Sequence, residues 1–559
     1  MSDLRTRARS WDDLRPLLGE QVEIDPPMSE GAPWIISVGG VPRARVGADF
    51  ARMASSFDGT RSLHDAVVMA GVPVDDVQAL QAVDTLASAG LLRALHRKPS
   101  RSGRFTYRRP LSFQWVLFDP TRVAQALARP FLTRIGRTAA AVLFVLVLLL
   151  AAWSAARHAS LLASMLSGPV PLDLVLYLGV AIVAMGGVHE FGHAVALAAF
   201  GGRPTRMGVM LFYFTPAFFC DVTDGWRIRE RARRVVVALA GPAMHTVVGG
   251  ISLCLLSLIS DRRLQEFLAV FALACFVSVA SNLIPLIKLD GYLALMALTD
   301  TPNLRARAMA TAGSALVRLL FGVESTEEKG RWPGVLAVYG ALCWLFPVLL
   351  FAWAAYRLQP LLLDAGPWSA ACYLLLVLGF LAGLVTRTVS SVAAALRRHP
   401  RWWRTGLGLL VTVACAAAVL LIPVRAVVHG GYVVVEGRPF LVTTTRTLLE
   451  GLDAGDAVRL RSNGVIATPV LAVGETGAPG EEARELDAPL AALAPVTAPD
   501  VIVPVFGIPL VVSGRVEDLP RAGAAEVDPG VSSPLGGRLV QFLVQEPVAA
   551  VLAGGGDRR

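Results

Sequence analysis

Charge and cysteine are both in short supply in this sequence, and each shortage rules something out. Only 17% of the 559 residues are charged, where an ordinary soluble domain carries about a quarter, so a plain soluble enzyme is excluded. Six cysteines run from Cys220 to Cys415 and none follows. The C-terminal portion therefore has no disulfide scaffold. No apolar run opens the chain, and some 137 residues precede the first long one, which argues against a cleavable signal peptide. Basic residues are nearly missing from alternate loops, which hold Arg157 in one, Arg262 and Arg263 in the next, and Arg357 in the third.

What the sequence has instead is apolar length. Hydrophobic residues make up 54% of it, with runs near 138–157, 172–200, 235–259, 265–287, 334–356, 370–392 and 405–427. A hydrocarbon core of about 30 Å takes roughly 20 such residues to cross. The runs predict a polytopic α-helical membrane protein of about seven spans. Basic residues cluster after the second run (Arg203, Arg206, Arg227, Arg229, Arg231, Arg233, Arg234), after the fourth (Arg305, Arg307, Arg318, Lys329, Arg331) and after the sixth (Arg397, Arg398, Arg401, Arg404). Positive loops stay inside, so the N-terminus is expected in the cytoplasm and the C-terminal region outside a bacterial-type plasma membrane. Residues 429–559 hold 10 basic and 16 acidic residues, although the chain as a whole is at +9. The basic excess falls on the cytoplasmic side, where anionic lipid accounts for it and no nucleic-acid partner is needed.

Residues 1–110 read as a small cytoplasmic α+β domain. "PWIISVGGVPRARVG" (Pro33–Gly47) has the pattern of a strand hairpin, and two helical stretches follow around the Asp58-Gly59 turn. Arg93–Arg109 is a basic stretch without acids and reads as a lipid-facing linker. Residues 429–559 read as an all-β extracytoplasmic domain. "GGYVVVEGRPFLVTT" and "DVIVPVFGIPLVVSGRV" are β-branched runs broken by Gly and Pro, with the acidic loop "GETGAPGEEARELDAP" between them. His429 is the only histidine there, and no catalytic constellation accompanies it.

The chemistry lies in "AMGGVHEFGHAVALAAF" (Ala184–Phe200). Ionisable groups inside a membrane segment are expensive and are functional candidates by default. Residues i and i+4 share a helix face, so His189 and His193 aim two imidazoles at one point with Glu190 beside them. That is the HExxH arrangement of zinc hydrolases. Two histidines leave such a site incomplete, since catalytic zinc takes three protein ligands and one open position. The candidate for the third is Asp290, in "SNLIPLIKLDGYLAL" (Ser281–Leu295). There Pro285 breaks helical regularity and lets the aspartate turn inward. Depth agrees: His189 falls about 16 Å from the cytoplasmic end of its span at 1.5 Å per residue, and Asp290 falls toward the same side.

The pairing of HEFGH with Asn282, Pro285, Asp290 and Gly291 in an NxxPxxxxDG pattern resembles the site-2 protease family of intramembrane zinc metalloproteases. The resemblance covers roughly residues 130–300. It implies Zn2+ on His189, His193 and Asp290, Glu190 as general base, and the Asn282 amide as a donor to the oxyanion. Lys288 departs from expectation, either snorkelling to the interface or acting on the charge of Asp290. Many relatives have Asn where this chain has His245, in "ALAGPAMHT" (Ala238–Thr246), where Gly241–Pro242 suits close helix packing. His245 reads as a buried, hydrogen-bonded residue, with a role near substrate or metal as the alternative. "MGVMLFYFTPAFFCDVTDGW" (Met207–Trp226) resembles the membrane-dipping β element of that family, whose open edge would hold substrate extended; a re-entrant packing segment is the alternative.

The N-terminal "SFDGTRS…AGLL" pattern resembles the winged-helix-like peptide-recognition element of enzymes that mature ribosomally made, modified peptides. A DNA-binding winged helix or a bare scaffold are the alternatives, and attachment to membrane chemistry favours the peptide. Taken whole, the chain is similar to the peptide zinc metalloproteases of daptide-type natural-product clusters. The domains expected are 1–110 for peptide recognition, 111–300 for the metalloprotease core, 301–428 for additional spans and 429–559 for the β-rich domain. The activity that the resemblance implies is removal of a leader from a modified precursor peptide. Two rivals stand beside it: regulatory cleavage of a membrane-anchored anti-sigma factor or signal-peptide remnant, and a non-catalytic peptide exporter or immunity protein. Peptide or membrane-embedded peptide and lipid are the partners in view.

Overall fold

Unbroken apolar runs with few charges favour helix in the middle of the chain, and the computed structural model has them helical. It describes residues 15–27, 33–38, 41–72, 76–89, 91–92, 105–108, 112–212, 215–321, 333–364, 366–396, 402–425, 427–444, 446–477 and 483–553. Among these, six helices are long and apolar enough to cross a membrane: Arg134–Arg157, Leu172–Ala199, Arg231–Leu255, Arg262–Asn282, Pro333–Gln359 and Pro367–Ser390. Their outward faces are strongly apolar, with Leu149, Tyr177, Val180, Leu349 and Leu375 exposed. Surface of that kind and extent needs lipid. The seventh expected span is shorter: only Gly406–Leu420 is apolar helix, about 22 Å at 1.5 Å per residue, and Pro423–Arg425 then continues as a strand.

The chain forms two compact units. One comprises Met1–Ser154, Gly179–Ser260 and Phe271–Thr301; the other comprises Ala155–Leu178, Asp261–Val270 and Pro302–Arg559. The first opens with an antiparallel sheet of Val22–Asp25, Trp34–Val38 and Val41–Val46, followed by helices Ala48–Ser55, Leu63–Ala70 and Asp76–Ser88. Ile36, Met53, Phe57, Leu63, Val83 and Leu86 form its core. The turn between the first two helices is built by one side chain. Asp58 Oδ1 accepts from the amides of Thr60 and Arg61 and from the Thr60 hydroxyl, while Gly59 takes the positive φ of 76°. These bonds hold the exposed Asp58 carboxyl down at about 2. Ser62 then caps the next helix, accepting from the amide of Asp65 at 3.1 Å.

A second sheet of this unit runs in the order Phe105–Arg108, Ser112–Phe118, Met207–Phe212 and Thr215–Cys220, all antiparallel. The sheet therefore begins inside the basic stretch expected to be a linker; Arg93–Arg104 and Arg109 lie outside the described residues. Phe105, Trp115, Leu117 and Phe118 are exposed. Beside the sheet, helix Thr121–Leu132 buries Ala124 and Ala128 against Ala194 and Ala198 of the HEFGH helix and exposes Val123, Leu127 and Phe131. A helix with that apolar stripe suits a membrane surface.

In the second unit the C-terminal strands close on themselves. Neighbouring strands run Arg438–Thr443, Val428–Val435, Ala522–Asp528, Ala457–Arg461, Val470–Thr476 and Ile502–Ser513, and the last pairs back to the first. This is a six-stranded barrel with Arg484–Pro489 added along Ile502–Ser513. Its opening hairpin turns at Glu436 and Gly437, both at positive φ, as a tight two-residue connection requires. The acidic loop is narrower than expected, because Val470–Thr476 and Arg484–Pro489 are strands on either side of it; Ala478–Glu482 lie outside the described residues. The all-β expectation for residues 429–559 also needs correcting at its end. Leu535–Val540, Gln541–Gln545 and Glu546–Ala553 are helical, and Leu543 packs with Ala355, Tyr373 and Val377 of the apolar helices. There Gln359 Nε2 donates to Glu546 Oε2 at 2.6 Å.

Candidate metal centre

Three elements of the first unit converge: the HEFGH helix (Leu172–Ala199), the Gly-Pro helix (Arg231–Leu255) and the short helix Asp290–Thr299. Glycines set how closely they meet. A Cβ on Gly192 would press on Met244 Cγ and sit 3.1 Å from the Ala240 carbonyl oxygen. A Cβ on Gly241 would overlap both His189 Nε2 and His193 Nε2. The glycine in HEFGH and the glycine in AGPAM are thus the two faces of one helix contact, and the second is also the wall of the centre.

The third element is set by a break. Helix Arg262–Asn282 ends at Asn282, and the chain runs irregularly through Pro285 to Leu289 before the next helix starts at Asp290. A Cβ at Gly291 would overlap the backbone of Leu283, so the Asp-Gly pair is what lets the chain double back this tightly. Lys288 is exposed while Asp290 is buried, and the only ion-pair partners of Asp290 among the described residues are the two histidines.

His189, His193 and Asp290 are 8%, 5% and 8% exposed, and one ligand atom from each lies within 4.8 Å of the others. The contacts between them show what the group could hold. His193 Nδ1 is 2.7 Å from the Val237 carbonyl oxygen, which only accepts, so Nδ1 carries a hydrogen and, in the neutral ring that can bind a metal, Nε2 is a lone pair. That lone pair faces His189 Nε2 at 3.2 Å and Asp290 Oδ1 at 3.4 Å. Asp290 Oδ2 is 3.0 Å from His189 Nε2, yet it has no aligned hydrogen-bond donor among the described residues. The 3.0 Å is an approach rather than a bond. The His193 Nε2 lone pair facing Asp290 Oδ1 in a buried place is costly, and a cation between them removes the cost. Two imidazoles and a carboxylate also form a donor set that leaves a coordination position open. The residues fit a metal ion.

Glu190 stands beside this group. Its Oε2 accepts from the backbone amide of Cys220 at 2.9 Å, and Oε1 has no hydrogen-bond partner among the described residues. Cys220 ends the strand Thr215–Cys220, the outermost strand of its sheet. The Asp221 amide donates to Arg206, so by alternation the outward-facing backbone groups are those of Phe218 and Cys220. The Phe218 ring lies over Gly186 and Gly187, one turn before His189. The open strand edge therefore lies directly beside Glu190.

Asn282 is not brought to the triad in the same way. Its Nδ2 donates to the Ser278 carbonyl at 2.9 Å and to Ser278 Oγ at 3.3 Å, so its amide is occupied one turn back in its own helix. Ser278 Oγ lies 3.3 Å from His245 Nε2, and the His245 ring meets the His189 ring edge-on at 5.1 Å between centroids. His245 is buried and hydrogen-bonded, as its sequence suggested.

A second group was not visible in the sequence. Asp300 ends the Asp290–Thr299 helix at a positive φ of 51°, and its carboxylate pairs with Arg234, with Arg45 at 3.0 Å and with Arg231 at 3.6 Å. Arg45 belongs to the N-terminal sheet. It also donates to the Trp226 carbonyl at 2.7 and 3.1 Å and lies 5.0 Å over the Trp226 ring. The helix that carries Asp290 at one end is thus held at its other end by the N-terminal domain. No protein-family model, curated protein or solved structure matches the chain.

Proposed function

We propose that this chain is an intramembrane metalloendopeptidase of the site-2 protease type, with zinc as its metal. The observation that carries the reading is the buried convergence of His189, His193 and Asp290, with Glu190 alongside, where the two histidines and Glu190 lie on a helix apolar enough to cross a membrane. A retired site has no reason to keep such groups in lipid.

Zinc, when bound, supplies Lewis acidity that polarises a carbonyl and makes water acidic enough to lose a proton near neutrality. The rest is the work of the chain. His189 and His193 offer Nε2 lone pairs, and Asp290 offers a negative charge that offsets the cation. The Cys220 amide fixes Glu190 through Oε2, leaving Oε1 to take a proton from the attacking water. Water oxygen bonds to the carbonyl carbon, the carbon–nitrogen bond breaks, and Glu190 returns its proton to the departing amine. The outward-facing backbone of Phe218, on the outermost strand, supports holding the substrate as an added strand, since a helical segment hides its scissile amide.

The substrate follows from the N-terminal domain. A three-stranded sheet with helices, reading as a winged-helix-like peptide-recognition element and tied to the core by Arg45, supports a precursor peptide as substrate and removal of its leader as the reaction. In this reading the seven segments cross the plasma membrane with the N-terminus in the cytoplasm and the barrel outside. The test is co-expression with a modified precursor peptide and mass spectrometry of the product. A single cut between leader and core in the wild type, absent in Glu190→Ala, is the expected result. An intact precursor with a metal-loaded wild type removes the leader-peptidase assignment.

A further inference from the structure

The two ligand histidines are not equally supported. A metal-ligating histidine nearly always donates its second ring N–H to an acceptor that fixes its tautomer and its aim. His193 does so, through Nδ1 to the Val237 carbonyl at 2.7 Å. His189 Nδ1 is buried and has no partner among the described residues. The same holds for one other ring nitrogen nearby, His245 Nδ1. The two rings that own these nitrogens touch, edge to face, at 5.1 Å between centroids.

We infer that His245 is the outer partner of His189, a positioning residue that accepts a hydrogen bond from His189 Nδ1 across one water or after a small rotation of either ring. The inference rests on the metal reading above, and the donor count gives it a direction. His189 must present a lone pair at Nε2 to bind a cation, so its Nδ1 carries hydrogen and needs an acceptor. His245 Nδ1 is then a lone pair, and its hydrogen sits on Nε2. Ser278 Oγ, 3.3 Å away, accepts that hydrogen on one lone pair and the Asn282 amide on the other. One assignment thus satisfies two buried nitrogens that otherwise have no partner among the described residues. It also gives Asn282 a place: through Ser278 and His245 it steadies His189.

The test loads the full-length protein in detergent with Co2+ after removal of bound metal. It reads the affinity by chelator competition and the ligand geometry from the visible absorption bands. His245→Phe keeps ring volume and removes the acceptor. It is expected to weaken Co2+ binding about ten- to a hundredfold and to shift the bands. His245→Asn restores an acceptor near the position of Nδ1 and is expected to recover most of both. Ser278→Ala removes no ring and still unlocks the His245 tautomer, so a smaller loss, of a few-fold, is expected even if His245→Phe does not fold. Wild-type affinity and spectrum in both His245→Phe and Ser278→Ala would overturn the inference and leave the metal reading standing. So would a His245→Asn variant as impaired as His245→Phe, because packing alone would then explain both. A folded wild type that takes up no Co2+ would overturn the inference and the metal reading together.

Discussion

The apolar helices before residue 301 and those after it are made of the same residue types and do different work. Burial alone does not separate them: the most apolar stretch is 44% buried in the Gly-Pro helix but 17% in the HEFGH helix, the same share as in Pro367–Ser390. Their buried polar content does. The early set encloses His189, His193, Arg234, His245 and Asp290; the later set encloses Gln359 alone among comparable polar side chains of the described residues. Tight glycines occur in both sets, but they pack against different things. A Cβ on Gly340 of the later set would overlap the backbone of Ala308, and one on Gly379 or Gly383 would meet nothing within 4 Å, whereas one on Gly241 would overlap the ring nitrogens of His189 and His193. Hydrophobicity puts both sets in a bilayer, but only close packing around costly polar groups marks a site.

The largest effect that would sharpen this contrast is on turnover. Glu190→Gln should retain the metal and lose about 10²- to 10⁴-fold in peptide cleavage, measured on a precursor peptide with metal content determined in the same preparation. Next comes a pair of matched glycines. Gly241→Ala forces a methyl into both Nε2 atoms and should weaken metal binding while costing about 1–3 kcal/mol of stability. Gly379→Ala meets open space and should be neutral or stabilising by about 0.5–1 kcal/mol. Thermal unfolding of the two in one detergent checks this, and equal effects would erase the distinction between the two positions. Arg45→Ala is expected to cost about 1 kcal/mol, since Arg45 and Asp300 are partly exposed and Arg234 remains on the carboxylate. Limited proteolysis should show the N-terminal domain released more readily.

The smallest effect is a pH dependence in the N-terminal domain. The Asp58 carboxyl is held at about 2 against an ordinary 3.8. A lowered carboxylate stabilises the fold above the ordinary value and loses that contribution as pH falls through the lowered one. The stability difference between wild type and Asp58→Ala should therefore be constant above pH 3.8 and shrink toward pH 2. A difference that does not change with pH would mean that the turn depends on shape rather than on the charge of Asp58.

How much of this was legible beforehand depends on the range of the interaction. The i, i+4 spacing of His189 and His193 and the Pro285 break before Asp290 are local, and they carry the triad. Gly241 looked like a packing glycine; that its missing side chain makes room for two ring nitrogens depends on a helix about fifty residues away. The Cys220 amide on Glu190, the Ser278–His245 contact and the Arg45–Asp300 pair each join distant segments through single atoms, and no pattern in sequence encodes them. The final helices lie in the stretch expected to be β, and Gly536, Gly537 and Pro547 interrupt any helical period there. Pro547 is tolerated because it comes just after the π-helical turn Gln541–Gln545, where the regular hydrogen-bond ladder is already displaced, and packing of Leu543 against Tyr373 and Val377 compensates.

The central claim, that His189, His193 and Asp290 hold a metal, is tested most directly by metal analysis of the detergent-purified wild type beside Asp290→Ala. About one zinc per chain in the wild type and little or none in the variant is the predicted result. A folded wild type without zinc, or a variant that keeps as much as the wild type, would contradict it.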